Sequence, residues 1–222
     1  MSASLQLGLF SGGEPTVDET FGELHRTELA FGAWYDYQPG WVRGADALYA
    51  HLRDTMRWGS ERRVMYDREV PRMVTGTGSA PTRPRRVGRW VDTPRLLAGC
   101  PRDGAGHPLL ERMRALLDER YGEAFVRLTM AWYRDGQDSV AMHGDTTARD
   151  LLEATVATVS LGAPRRFVLR PTEGGASRAL HLGGGDLLVM GGTCQRTWRH
   201  GIPKVAHAGP RIAVMFRPRW GE

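Results

Sequence analysis

Lysine is nearly missing from this chain: of 30 basic residues only Lys204 is lysine. A genome's base composition can produce such a bias, so the net charge of +5 is discounted as a sign of function. Cysteine is scarce too. Cys100 and Cys194 are too few and too far apart for a disulfide framework, which fits a reducing cytosol and a cytoplasmic protein. No apolar run approaches the roughly 18 to 20 residues that span a bilayer, so membrane association is not expected. The first ten residues, Met1 to Phe10, lack a basic leader and a long apolar region and do not read as a signal peptide. Internal repeats and low-complexity tracts are absent. Gly183-Gly184-Gly185 resembles a nucleotide loop, but no Lys-Ser/Thr follows and a strand comes next, so it reads as a turn.

What remains is a globular composition, 41% hydrophobic and 25% charged over 222 residues, enough for one domain with a full core. Charge is unevenly spread. Residues 1–50 hold two Arg against seven acids, net −5, and residues 51–100 hold eleven Arg against five acids, net +6. A basic segment of this kind suits phosphate contact, although such runs more often form solvated faces.

Residues 1–30 show little periodicity and are expected as a mobile lead-in. Phe31 to Trp41 carries five aromatics that fit a strand and turn. Ala45, Leu48, Tyr49, Leu52 and Met56 recur at helical spacing within 44–58. Residues 59–98 are rich in Gly, Pro and Arg and read as loops and hairpins. Trp58, Tyr66 and Trp90 flank the Arg-rich part. Aromatics stack on unpaired bases and arginines clamp phosphates, yet Trp58 and Trp90 serve equally well as core anchors. Tyr66, among charges, is the better surface candidate. A second helical stripe runs Leu109 to Tyr121, with Pro108 in its first turn and Gly122 at its end. Strands are then expected at Ala124–Tyr133, Ala154–Leu161, Arg165–Arg170, Arg178–Leu182, Asp186–Met190 and Arg211–Arg217. Helices followed by short strands predict a mainly β, α+β chain with an antiparallel double sheet and helical backing.

The chemistry concentrates in two places. In Tyr133-Arg-Asp-Gly-Gln-Asp-Ser-Val-Ala-Met-His143-Gly-Asp145, residues 143 and 145 occupy same-face positions of an extended segment. With a second imidazole from His200 they would form a two-His, one-carboxylate triad, which leaves open positions on a non-haem Fe(II). Taken alone, the His-x-Asp triplet is more readily a surface turn. Arg211-Ile-Ala-Val-Met-Phe-Arg217 puts Arg211, Ala213, Met215 and Arg217 on one strand face and Ile212, Val214 and Phe216 on the other. Two arginines on a buried strand need anionic partners. Guanidinium matches carboxylate bidentately, so a dicarboxylate such as 2-oxoglutarate suits them.

These motifs, in this order, resemble the AlkB family of Fe(II)/2-oxoglutarate-dependent dioxygenases, from about residue 30 to the C-terminus and most strongly from Ala131 to Arg217. The resemblance implies a double-stranded β-helix (jelly-roll, cupin-like) core over 124–222 within one domain, 31–222. It also implies an N-terminal nucleotide-recognition lid over 59–98. His143, Asp145 and His200 would bind iron and carry catalysis. His200 is preferred to His207 because Trp198-Arg-His-Gly-Ile-Pro203 is similar to the family segment. Arg211 would hold the distal carboxylate of 2-oxoglutarate, Arg217 would neutralise charge at the iron-bound end, and Tyr133 would donate a further hydrogen bond. Tyr66, Arg72, Trp58, Trp90 and Thr146 would contact substrate. O2 is the co-substrate, and the implied reaction is removal of N-methyl groups from bases of the 1-methyladenine or 3-methylcytosine type, with release of formaldehyde. The partner would be nucleic acid, DNA before RNA, single-stranded or with the base flipped out, and the protein would act as a monomer.

Two departures accompany the resemblance. Ala131 and Ala213 stand where the family motif has Asn, each removing an amide worth about 0.5–1.5 kcal/mol as a net hydrogen bond. Thr146-Thr147 follows the expected iron aspartate, where DNA-repair members often carry an acid. The same chemistry on RNA, a protein side chain or a small metabolite therefore stays open. So does a non-catalytic nucleic-acid-binding protein on a degenerate dioxygenase scaffold.

Overall fold

Period-two alternation in the second half of the chain builds two facing sheets, and the helical stripes back one of them. The computed structural model describes residues 13–59, 62–70, 85–92, 95–99, 107–145 and 151–218, with backbone alone at 62–70, 85–92 and 96–99. In chain order the elements are β1 (Thr16–Val17), β2 (His25–Glu28), a 3-10 turn (Ala30–Gly32), β3 (Ala33–Gln38), β4 (Val42–Arg43), α1 (Ala45–Thr55), β5 (Arg62–Val70), β6 (Arg85–Asp92) and β7 (Leu96–Gly99). There follow α2 (Pro108–Tyr121), β8 (Arg127–Tyr133), β9 (Val140–His143), β10 (Val156–Gly162), β11 (Arg165–Pro171), β12 (Arg178–Leu182), β13 (Leu187–Gly192), α3 (Cys194–Thr197), β14 (Trp198–Ile202) and β15 (Arg211–Arg217).

A seven-stranded sheet in the order β2-β3-β13-β10-β15-β8-β7 faces a four-stranded sheet in the order β12-β11-β14-β9. Neighbouring strands pair antiparallel, and the two sheets form the jelly-roll core that the resemblance implies. Strand β15 shows how the sequence sets the layers. Ile212, Val214 and Phe216 pack outward against Leu48 and Leu52 of α1 and Leu110, Met113, Leu116 and Leu117 of α2. Ala213 and Met215 point between the sheets with Phe167, Leu169, Leu182, Leu188 and Met190.

The caps explain where the helices stop. Pro108 opens α2, and the His107 side chain accepts a hydrogen bond from Leu109 N–H. Gly122 closes α2 in the left-handed conformation at φ 65°, which costs a residue without Cβ little. Helix α1 ends at Thr55, short of the expected residue 58, because Met56 turns extended. Trp58 then folds back, and its indole N–H donates to the Arg53 carbonyl at 3.1 Å.

Three expectations are corrected. Residues 13–30, expected within a mobile lead-in, are held in place: β2 pairs with β3 at the edge of the large sheet, and the Asp18 carbonyl accepts from the Trp41 indole. Residues 96–98, expected within the lid, belong to β7, which pairs with β8 of that sheet. Gly and Pro density hid this strand. Trp58, a candidate substrate contact, sits 5.5 Å from Trp132 in the cluster under the helices, across the large sheet from the inter-sheet space. Its partly buried ring packs on the core from that side. Elsewhere in the expected lid, β5 and β6 pair as a two-stranded ribbon, and residues 71–84 lie outside the described residues. Among the described residues, no helix is long and apolar enough to cross a membrane.

Candidate metal centre and anion pocket

Strands β14 and β9 are neighbours, and their register sets His200 directly opposite His143. The two rings lie 4.4 Å apart between centroids. Nδ1 of His143 is 2.8 Å from the Ala141 carbonyl. A carbonyl only accepts, so that nitrogen carries a proton, which leaves Nε2 as the nitrogen that could face a metal. His200 is buried, and its Nδ1 has no hydrogen-bond partner. Burial, and then the nearby His143, push its pKa down to about 3, so the ring is neutral at pH 7.

Asp145 is the third candidate. Arg217 Nε donates to its Oδ2 at 2.7 Å, and the pair is largely buried. Burial works to raise the Asp145 pKa, but the charge and hydrogen bond of Arg217, with lesser help from His200 and His143, hold it below the ordinary carboxylate value. The donor set, two imidazoles and a carboxylate, fits Fe(II), and the unpartnered His200 nitrogen marks a polar group that the chain leaves unsatisfied. As placed, no three His, Cys, Asp or Glu among the described residues come together closely enough to hold a metal ion. Arg217 holds the carboxylate, so ligation requires Asp145 to share that contact.

The backbone around Asp145 is clasped by residues that the sequence reading did not single out. Gln195 Oε1 accepts from Asp145 N–H at 2.9 Å, and Arg196 donates to the carbonyls of Asp145 and Leu151. A Cβ at Gly144 would collide with the Gln195 carbonyl, which explains the glycine between His143 and Asp145. Gln195 lies 50 residues from Asp145 on the one-turn α3, too short for any periodic signal to expose it.

The register of β8, β15 and β10 lays out the rest in rows on the inner face. Tyr133, Arg211 and Gly162 form one row, Ala131, Ala213 and Ser160 the next, and Thr129, Met215 and Thr158 the third. Arg211 is 1% exposed, donates Nε to Ser160 Oγ at 2.9 Å, lies 5.4 Å from the Tyr133 ring centroid, and has a buried Nη1 with no partner. No carboxylate pairs with it among the described residues. Burial pulls its pKa down to about 10, so it stays charged at neutral pH. Beside it the side chains of Ala131, Ala213 and Ser160 are small. Arg217, anchored by Thr129 Oγ1 at 2.7 Å and by Asp145, marks the far end. A positive end, a short uncharged floor and a metal-donor end suit a small dianion that reaches from Arg211 toward the imidazoles.

A third buried guanidinium, Arg165, lies 5.7 Å from the other side of the Tyr133 environment and donates to the carbonyls of Asp135, Asp138 and Pro203. It ties the loop before β9 to the small sheet. Thr158 and Ser160 were visible as polar residues at alternate positions in an apolar strand, a signal that could have placed Ser160 in the pocket. Of the expected substrate contacts, Tyr66 and Trp90 lie on β5 and β6, in register with Gly88 and Val64. Arg72 and Thr146 lie outside the described residues.

Comparison with known proteins is consistent with this arrangement. A family model described as the 2OG-Fe(II) oxygenase superfamily matches residues 43–217. The chain is similar to a human protein named DNA oxidative demethylase ALKBH2, 26% identical over 237 aligned residues that cover 93% of this chain and 89% of that protein. It is also similar to a protein named alpha-ketoglutarate-dependent dioxygenase alkB homolog 3. The human form is 33% identical over 121 residues, covering 50% of this chain and 42% of its own, and the Bos taurus form is 28% identical over 193 residues, covering 81% and 64%. The match thus spans less than two thirds of those relatives' length. Among solved structures, that of OsALKBH1 superposes with a TM-score of 0.51 at 13% identity, covering 88% of this chain and all of the other, a likeness of fold.

Proposed function

We propose, because the chain belongs to the 2OG-Fe(II) oxygenase superfamily and within it to the AlkB family, that it is a dioxygenase removing N-methyl groups from bases in nucleic acid. The observation that carries this reading is the pairing of His143, His200 and Asp145 with a buried, carboxylate-free Arg211 across a floor of small side chains. In this account His143, Asp145 and His200 hold Fe(II). Arg211 and Ser160 receive the distal carboxylate of 2-oxoglutarate, with Tyr133 beside them, and Arg217 keeps Asp145 ionised and oriented.

Bound iron with 2-oxoglutarate and O2 supplies the oxidising power: decarboxylation to succinate is coupled to hydroxylation of the methyl group, which then leaves as formaldehyde. The protein contributes geometry and charge. The His200 imidazole, neutral in the fold, keeps a lone pair for the metal, and the apolar inter-sheet core limits water. The relative named as a DNA oxidative demethylase favours DNA as the substrate, and the 1-methyladenine or 3-methylcytosine type of base is the one the AlkB resemblance implies.

The test is mass spectrometry of oligonucleotides bearing 1-methyladenine or 3-methylcytosine, as single-stranded DNA, duplex DNA and RNA, incubated with protein, Fe(II), 2-oxoglutarate and ascorbate. Loss of about 14 Da, dependent on iron and 2-oxoglutarate, is expected. Succinate formation without mass loss would move the substrate elsewhere, and neither product would reject the dioxygenase.

A further inference from the structure

Among the described residues the outer face of the four-stranded sheet is exposed at its basic positions, and the side chains beside them are small apart from Val168 and Met142. Register places Arg166 opposite His181, Val168 between Ala179 and Gly201, and Arg170 opposite Arg199. Arg166, Arg170, Arg199, His181 and Ala179 are exposed, while the intervening Phe167, Leu169 and His200 are buried on the inner side. Two basic rows, four residues apart and so about 13 Å at the rise of an extended strand, flank Val168 and Ala179, and the Met142 side chain covers the buried Gly201 beside them.

No acid stands at these face positions. None of the ion pairs among the described residues engages Arg166, Arg170 or Arg199, and Arg170 Nε donates to Ser177 Oγ at 3.2 Å. Other arginines in the chain are neutralised: Arg26 by Asp36, Arg112 by Glu19, Arg114 by Glu111, Arg134 by Asp138. Like charges directly opposite on adjacent strands are destabilising unless an anion lies between them, as Arg170 and Arg199 require.

We infer that this face is a phosphate-backbone contact surface for the nucleic-acid strand whose base enters the site, an inference that rests on the proposed function. The surface calls for a polymer, because Arg199 and His200 are consecutive residues on opposite faces of β14. A mononucleotide at the imidazoles cannot reach the arginines. A strand can, because β9, which carries His143, is the free edge of this sheet. Chain leaving the site rounds that edge onto the basic face. Guanidinium forks suit phosphate oxygens.

The test compares the full-length wild type with the triple variant Arg166→Ser, Arg170→Ser, Arg199→Ser. Binding of a fluorescein-labelled single-stranded 30-mer with one 1-methyladenine is measured across a salt series, and demethylation of a methylated trinucleotide is measured in parallel. Three lost phosphate contacts, at roughly 0.7 each for a single strand, should flatten the slope of log Kd against log salt by about 2. The 30-mer should bind about tenfold or more weakly at 0.1 M salt, with trinucleotide turnover unchanged. An unchanged 30-mer affinity and slope would overturn the surface while leaving the proposed function standing. Equal losses on 30-mer and trinucleotide would overturn it too, by showing an effect through the fold. A wild type that neither binds nor demethylates either substrate would remove the proposed function, and this inference with it.

Discussion

Replacing Arg211 with Met should make the protein at least as stable and much less able to bind 2-oxoglutarate. The guanidinium is 1% exposed and makes one side-chain hydrogen bond, to Ser160 Oγ, while Nη1 is buried unpartnered. Removing it forfeits a net hydrogen bond of about 0.5–1.5 kcal/mol and relieves a buried unsatisfied charged donor that costs about 1–3 kcal/mol. Methionine fills much of the same volume with an apolar chain, a change that buried charges often tolerate or improve upon. The balance is roughly 0–2 kcal/mol in favour of the variant, a rise of up to about 8 °C in Tm for a chain of this size. Binding moves the other way. Two charge-assisted hydrogen bonds to a carboxylate, at about 1.5–3 kcal/mol each, correspond to a loss of roughly 10²- to 10⁴-fold in affinity. Differential scanning fluorimetry without ligand reads the first quantity, and calorimetric titration of the metal-loaded protein with 2-oxoglutarate reads the second. A Tm lowered by several degrees together with an unchanged 2-oxoglutarate affinity would make Arg211 a structural residue and refute the pocket.

Other outcomes follow from the same geometry. Asp145→Ala should abolish turnover while leaving the far-ultraviolet circular dichroism intact, and retained activity would mean that the metal ligands are misassigned. His200, with a pKa of about 3 against an ordinary 6.5, stays neutral in the fold where the unfolded chain takes a proton. Chelator-treated protein should therefore lose stability as pH falls from 6.5 toward 3, by up to roughly 1 kcal/mol per pH unit, and His200→Asn should flatten that slope in urea titrations. Trp58→Ala should cost about 1–3 kcal/mol, less than a fully buried tryptophan, without changing oligonucleotide affinity. Weakened binding at unchanged stability would return Trp58 to the substrate surface.

The layering was legible because its period is two. Alternation along Arg211–Arg217 separates Arg211, Ala213 and Met215 from Ile212, Val214 and Phe216, and the folded chain keeps that division. The helix on 108–121 was equally plain, marked by proline at one end and glycine at the other. Local composition misled where a short strand takes its identity from its partner. Leu96–Gly99 lies among Gly, Pro and Arg, and only β8 makes it a strand. Contacts between remote segments left no trace in spacing. Gln195 and Arg196 hold the Asp145 backbone across 50 residues, and Arg165 reaches three carbonyls on two other segments. Trp58 was ambiguous for a different reason, since an aromatic that stacks on a base and one that packs on Trp132 look the same in sequence.

The most direct measurement counts products in one reaction on a methylated oligonucleotide: succinate, formaldehyde and repaired base, for the wild type and for Asp145→Ala. The account predicts equal amounts of all three for the wild type, each requiring Fe(II) and 2-oxoglutarate, and none for the variant. Repair without succinate, or equal yields from Asp145→Ala, would contradict it.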